Sequence, residues 1–440
     1  MVTIAMIGTG YVGSVSGACL ADFGNMVVCV DSNREKIESL KKGIIPIFEP
    51  GLEDVAVRNI QAKRLSFTTD LSGAVAASEV VFIAVGTPPA DDGNADLQYV
   101  EAVAREIGRV IEKWTVIVDK STVPIGTGRK VRTWIQEELT RRGAVAPFEV
   151  VSNPEFLREG TAVYDFTHPD RVVIGTESVK ARSLMKEVYR PLYLNETPYI
   201  ETNLESAEMI KYASNAFLAL KITFINEVAN LCEKTGADVQ DVAKAVGKDG
   251  RIGSKFLHPG PGYGGSCFPK DTLALARIGK EHGEPMSLIE AAITANERQK
   301  LRMIEKIKAE MGDIRGKIIA VLGLAFKQNT DDMRESPAIT ICERLVESGV
   351  RLRLFDPAAM EEAEWRLAGI QDSITFTRSE YEAARGADAL VILTPWNQFR
   401  NLDLNKIKEL LTLPYFFDLR NIYKRGDVER MGLTYVGVGR

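Results

Sequence analysis

A chain of 440 residues, 45% hydrophobic and 26% charged, is long enough for two or three domains of about 150 residues each and has an ordinary globular composition, which excludes disordered and fibrous classes. A net charge of −5 without a long Lys/Arg block argues against nucleic acid as the main partner, and no apolar run is long enough to span a membrane. The short apolar segment 2–7 lacks the features of a signal peptide, and the five cysteines (Cys19, Cys29, Cys232, Cys267, Cys342) form neither a metal-type pair nor a disulfide framework, so a cytoplasmic protein without a metal site is expected.

Residues 2–7 read as a strand running into GTGYVG at 8–13, a G-x-G-x-x-G turn that opens a small-residue helix over 14–23. In that context Gly8 permits the tight turn, Gly10 lets backbone approach a pyrophosphate, and Gly13 lets the helix pack closely on the sheet. The phosphates then sit at the helix N-terminus. A second strand, 26–30, ends in Asp31, placed to hydrogen-bond the adenosine ribose; this favours NAD over NADP, although Arg34 and Lys36 nearby keep the exclusion of a phosphate incomplete.

The apolar runs 79–89 and 115–124 close on the turns TPP and STVP and read as parallel-sheet strands. Thr87 and Thr122 would lie at carboxyl ends of strands, where ligands bind in open α/β sheets; each equally fits a helix cap. A further strand leads into NPEFLREG at 153–160, where Asn153 is expected as an N-cap and Pro154 as the first helical residue. Glu155 and Glu159 would then share a helix face, either as an acid/base and its companion or simply as favourable charges in a first turn.

From the capping box TNLE at 202–205 a helical pattern runs without Gly or Pro to 234 and stops at Gly236. Thirty-odd residues at 1.5 Å each span roughly 50 Å, enough to bridge two domains and present a face to a second subunit. On it Lys211 and Asn215 are four apart and suit either a site or solvent. The turn-rich stretches 247–253 and 256–265 read as a ligand wall, with Arg251 for hydroxyls or an anion and Phe256 and Tyr263 as ring surface. His258, beside a proline, reads as surface. GPGYGGSCFPKD at 260–271 then brings Cys267 just before a helix, with Pro269 at its first position. The helix dipole and Lys270 would both favour a nucleophilic thiolate, whereas a lone cysteine also fits a small buried hydrophobe.

The last third repeats the first: 317–326 resembles the opening strand, 350–356 the strand ending at Asp31, and 386–395 the run 78–88. Its first turn lacks G-x-G-x-x-G, so a different nucleotide is expected there, met by the Phe326 ring and by Lys327 and Arg334 facing a cleft. The expected fold is α/β, two Rossmann-like doubly wound domains joined by a long central helix, divided as 1–200, 201–300 and 301–440.

Taken together, GTGYVG, the TPP turn, STVP, NPEFLREG, KYASNAFLALKITFINE, RIGSKFLHPGPGYGGSCFPKD and GLAFKQNTDDMRESPAI closely resemble the UDP-glucose and GDP-mannose dehydrogenase family over nearly the whole chain. The resemblance implies an N-terminal NAD domain, a dimerising central helix and a C-terminal UDP-sugar domain. It implies four-electron oxidation of UDP-glucose at C6 to UDP-glucuronate with two NAD, the same chemistry on a UDP-N-acetyl amino sugar or GDP-mannose being the alternative. Cys267 then resembles the nucleophile that carries the thiohemiacetal and thioester, Lys211 the oxyanion stabiliser with Asn215 beside it, and Asp271 the carboxylate working with Lys211 and a water. Glu155 resembles the acid/base for thioester hydrolysis, with Thr122 helping to hold the water. NAD contacts are implied for Gly8, Gly10, Tyr11, Val12, Gly13, Asp31, Lys36, Thr87, Thr122, Glu159, Lys270 and Arg334. Sugar-nucleotide contacts are implied for Glu155, Phe156, Leu157, Lys211, Asn215, Phe256, Leu257, Tyr263, Gly264, Cys267, Phe326 and Lys327, and for Arg251 reaching from the second subunit of a homodimer. Two rivals remain: a two-electron hydroxyacid dehydrogenase, which needs no thiol, and an NAD-binding module without turnover.

Overall fold

The opening apolar run is strand β1 (Thr3–Ile7), whose alternate side chains feed two hydrophobic layers: Ile4 and Met6 on one face, Ala5 and Ile7 on the other. With both faces covered, β2 (Met26–Val30), β4 (Val80–Ile83), β5 (Thr115–Asp119) and β6 (Phe148–Ser152) read as near-continuous apolar runs, and every residue of β4 and β5 is buried, whereas the edge strand β3 (Leu65–Thr68) alternates, with Leu65 and Phe67 buried and Ser66 exposed. The computed structural model describes residues 1–88 and 95–440, so Pro89, the expected end of the apolar run 79–89, lies outside the described residues. These residues form two compact units, Met1–Ala213 and Ser214–Arg440. The first carries an eight-stranded sheet in the order β3-β2-β1-β4-β5-β6-β7-β8, completed by β7 (Val172–Gly175) and β8 (Tyr199–Thr202); β6 and β7 are antiparallel and the other neighbours parallel.

In the second unit six strands, β9 (Ile318–Leu322), β10 (Arg351–Phe355), β11 (Ile374–Phe376), β12 (Ala389–Ile392), β13 (Tyr415–Asp418) and β14 (Thr434–Val436), form an all-parallel sheet in the order β11-β10-β9-β12-β13-β14. That is the order of the first six strands of the first unit. The likeness reaches the hydrogen bonds. Asp31, after β2, accepts the Thr9 N–H at 3.1 Å, and Asp356, after β10, accepts the N–H groups of Leu324 and Ala325 at 2.7 and 3.1 Å. Both units are therefore doubly wound α/β folds.

The chain passes from the first unit to the second within the helix Leu204–Thr235, 32 residues long and ended by Gly236 at φ 77°. Its cap is Asn203, whose Oδ1 accepts from Ser206 N at 2.8 Å; the start is thus one residue later than the TNLE pattern implies, and Glu205 instead pairs with Arg129 at 2.8 Å. Among the described residues no helix is long and apolar enough to cross a membrane.

Candidate active site

In the first unit the site grows from the turn after β1. The following helix, Tyr11–Asp22, begins three residues before the expected Ser14, because the Gly10 carbonyl already accepts from Ser14 N at 2.9 Å. Gly8 holds φ 99°, and a Cβ there would stand 2.5 Å from the Ala84 carbonyl oxygen; one on Gly13 would stand 1.9 Å from that of Gly8. At Gly10 a Cβ would meet no protein atom within 4 Å. The protein's own packing therefore demands two of the three glycines, and the open third is the cradle a pyrophosphate fits at a helix N-terminus.

Asp31 accepts from the Thr9 hydroxyl at 2.6 Å and stands 3.5 Å from Lys36 Nζ. Burial works to raise its pKa, but the bonds from Thr9 and Asn33 and the Lys36 charge outweigh it and hold it ionised. The Tyr11 hydroxyl donates to Glu49, whose carboxylate also accepts from Gly160 N at 2.6 Å and Ala162 N at 2.7 Å; Val12 lies in the same first turn. Thr87 donates its hydroxyl to the Thr122 carbonyl at 2.8 Å. Neither threonine caps a helix: the next ones among the described residues are capped at Leu97 and Gly126.

The expected helix at 153–160 is absent; the next helix is Ala162–Thr167. Asn153 caps nothing, because its Oδ1 accepts from Lys120 and Tyr189 instead of from a helical N–H and its Nδ2 donates to the Val173 carbonyl. Glu155 and Glu159 consequently do not share a helix face. Glu155, 5% exposed, lies 2.6 Å from the Nζ of Lys211, itself 3% exposed, and also accepts from Leu157 N at 2.5 Å. Burial pushes its pKa up, yet Lys211, the Leu157 N–H and, at longer range, Lys120 together hold it below the usual value. The Phe156 ring lies 5.5 Å from Lys211 Nζ and stacks against Arg171 at 3.7 Å. Glu159 lies within electrostatic reach of Tyr11, whose hydroxyl is pushed up by burial and by Glu49.

In the second unit Cys267 is the N-cap of the helix Phe268–Glu281, so Pro269 is the second helical residue and the thiol stands at the positive end of the dipole. Of the five cysteines it alone is not buried. The loop before it is clamped by amides: Gly260 N and O bond to Asn226 and Gln299 at 2.8 and 2.9 Å, and Tyr263 N and O bond to Asn296 at 2.8 and 3.1 Å. Gly264 is required because a Cβ would stand 2.3 Å from the Glu335 carbonyl oxygen. Asp271, buried one turn into the helix, accepts from Asn215 Nδ2 and Lys270 Nζ, both at 2.6 Å. Asn215 thus comes from the long helix to the carboxylate beside the thiol.

Phe256 and Tyr263 pack against Phe268 with ring centres 6.1 and 6.2 Å away. The Leu257 side chain is buried in the core, which leaves only its backbone for a ligand. Arg251 is 89% exposed and, among the described residues, pairs with Asp249 at 2.6 Å. Lys327 Nζ lies 5.2 Å from the Phe326 ring centre, and Arg334 forks onto Asp332 at 2.8 Å.

Sequence reasoning missed Glu49, Lys120 and Arg420. Arg420, two residues past β13, donates to the carbonyls of Leu393 at 2.5 Å and Phe326 at 3.3 Å, and burial pushes its pKa down to about 10. Its position beyond the carboxyl end of a strand was the available signal.

With this geometry in hand, three family matches cover most of the chain. Residues 2–193 match the NAD binding domain of the UDP-glucose/GDP-mannose dehydrogenase family, 205–298 its central domain and 320–425 its UDP binding domain. The chain is 56% identical to a UDP-glucose 6-dehydrogenase of Rhizobium meliloti (strain 1021), across 99% of each chain. It is 48% identical to the UDP-glucose 6-dehydrogenase TuaD of Bacillus subtilis (strain 168), across 100% of this chain and 94% of the relative. A solved UDP-glucose dehydrogenase from the hyperthermophilic archaeon Pyrobaculum islandicum aligns with a TM-score of 0.91 at 41% identity, covering 100% of this chain and 98% of its own.

Proposed function

The chain belongs to the UDP-glucose/GDP-mannose dehydrogenase family and binds NAD, and from this premise we propose that it oxidises UDP-glucose at C6 by four electrons, consuming two NAD and one water per sugar and releasing UDP-glucuronate. The observation that carries this reading is the accessible Cys267 at a helix N-terminus, with Asp271 fixed one turn on by Asn215 and Lys270. A two-electron dehydrogenase has no use for such a thiol; oxidising an aldehyde by hydride loss requires a tetrahedral adduct, which a thiolate supplies.

NAD, when bound, supplies the acceptor for the hydride that leaves C6 in each oxidation. The first oxidation removes a proton and a hydride from the C6 alcohol and leaves an aldehyde. The Cys267 thiolate adds to that carbon, and the Lys211 ammonium, with Asn215 and with Asp271 and a water, stabilises the resulting oxyanion. Loss of the second hydride makes the C–S adduct a thioester. Glu155 then takes a proton from water held with the help of Thr122, hydroxide adds to the carbonyl, and the C–S bond breaks to return the thiolate and free the acid. Asp31 receives the ribose of NAD, with Tyr11, Val12, Lys36, Thr87, Glu159, Lys270 and Arg334 as further contacts. Phe256, the Leu257 backbone, Tyr263, Gly264, Phe326 and Lys327 hold the UDP-sugar, as do Phe156 and Leu157.

The same reading divides the chain into 1–200 for NAD, 201–300 for the central region and 301–440 for the UDP-sugar, and places the enzyme in the cytoplasm as a homodimer. Support for the dimer comes from the long helix, where Phe217, Phe224 and Leu231, seven residues apart, are 61%, 53% and 63% exposed. Arg251 would reach the sugar of the second copy. The test is a panel of UDP-glucose, UDP-N-acetylmannosamine and GDP-mannose scored by kcat/KM with NAD. UDP-glucose is expected to lead, and a tenfold preference for either competitor would replace it.

A further inference from the structure

Lys120, directly after β5, has no place in the reaction as described, yet it is 4% exposed. Its Nζ lies 3.2 Å from Asn153 Oδ1 and 3.3 Å from the Tyr189 hydroxyl, and 5.8 and 5.9 Å from the ring centres of Tyr189 and Phe166. All of these partners are uncharged. Tyr189 donates to Asn153 Oδ1 at 2.6 Å, and burial pushes its own pKa up, so it remains a phenol. Among the described residues no carboxylate stands within ion-pair distance of Lys120. A buried ammonium with only neutral partners is unfavourable unless a nearby anion compensates at longer range. The charges it does face are Glu155, which favours its ionised form, and Lys211, which opposes it.

The local arithmetic is two buried lysines around one buried carboxylate. Lys211 holds Glu155 directly at 2.6 Å, whereas Lys120 acts through space and through Asn153, two residues before Glu155. On the reaction proposed above, Lys211 turns its charge to the oxygen on C6 at the stage when Glu155 must be a base. A carboxylate so deeply buried would then rise in pKa and lose that capacity unless a second cation remained.

We propose that Lys120 is a positioning residue for Glu155, whose ammonium keeps that carboxylate ionised for proton abstraction from water while Lys211 is engaged by the substrate oxygen. It acts through Glu155 and touches neither sugar nor NAD. This inference rests on the thioester reading of the same site.

The test uses the full-length enzyme and follows single-turnover hydrolysis of the Cys267 acyl-enzyme against pH, with acid quench and intact-mass detection. Lys120→Met and Lys120→Gln, the second keeping a donor for Asn153 and Tyr189, should move the acidic limb of the hydrolysis rate upward by about one pH unit. They should accumulate acyl-enzyme at neutral pH with NAD affinity unchanged. Lys120→Arg, which keeps the charge, should retain the wild-type limb. A wild-type limb in either neutral variant, or a shift in Lys120→Arg equal to theirs, would leave Lys120 with packing alone and overturn the proposal. If the wild-type enzyme itself forms no acyl-enzyme, it is the thioester reading that fails.

Discussion

The Nζ of Lys211 lies 2.6 Å from Oε1 of Glu155 in a setting where neither side chain is more than 5% exposed. A buried ion pair of this kind is poor evidence of net stabilisation, because desolvating two charges offsets much of their attraction. Breaking it by removing one partner is another matter, since a lone buried charge remains.

Glu155→Gln should therefore act twice. Thioester hydrolysis should slow by about 10²- to 10⁴-fold, the usual contribution of a general base, and acyl-enzyme should build up in rapid-quench samples. Urea unfolding should show a loss of about 3–5 kcal/mol, as expected when a buried pair loses one charge. An unchanged hydrolysis rate would remove Glu155 from the role of base.

The three glycines of GTGYVG should separate folding from cofactor binding. Gly10→Ala meets no protein atom and keeps an allowed φ of −66°, so stability should change by no more than about 0.5 kcal/mol while NAD affinity falls at least about tenfold. Gly13→Ala drives a Cβ to 1.9 Å from the Gly8 carbonyl oxygen and should lower stability and NAD affinity together. Calorimetric NAD titration alongside thermal unfolding reads both.

These residues also show what was legible in the chain. The doubly wound units were readable because Gly8 and Asp31, and again Asp356, sit where strand pattern and turn residues fix them locally. Cys267 at a helix start was readable from Pro269 and the glycines before it. The segment 153–160 was misread, since a capping residue followed by proline looks like a helix start, but Asn153 spends its amide on Lys120, Tyr189 and Val173, all distant in sequence. Glu49 and Arg420 escaped for the same reason: Glu49 holds Gly160 and Ala162 more than a hundred residues on, and Arg420 bonds to carbonyls, which leave no mark on composition.

Lys120 should leave a signature in stability against pH. Burial lowers its pKa from 10.5 to about 8 in the folded protein, so between those values the unfolded chain holds a proton that the native state lacks, and unfolding free energy from this group rises with pH. Compared by chemical denaturation, Lys120→Met should gain most over the wild type below pH 8, and that gain should shrink as pH climbs through about 8 to 10.5. A pH-independent difference would contradict the depressed pKa.

Phe224→Glu places a charge on the exposed apolar line of the long helix and should convert a dimer to monomers in light scattering at micromolar concentration, with NAD binding to the monomer retained. A dimer unaffected by Phe224→Glu and Phe217→Glu together would move the interface elsewhere.

The most direct test of the central claim, that Cys267 carries the sugar between two oxidations, is the count of NADH formed per UDP-glucose consumed at completion. The wild-type enzyme should give two NADH with UDP-glucuronate as the product, and Cys267→Ala should fail to complete the second oxidation. One NADH per sugar from the wild type, or two from Cys267→Ala, would contradict the account.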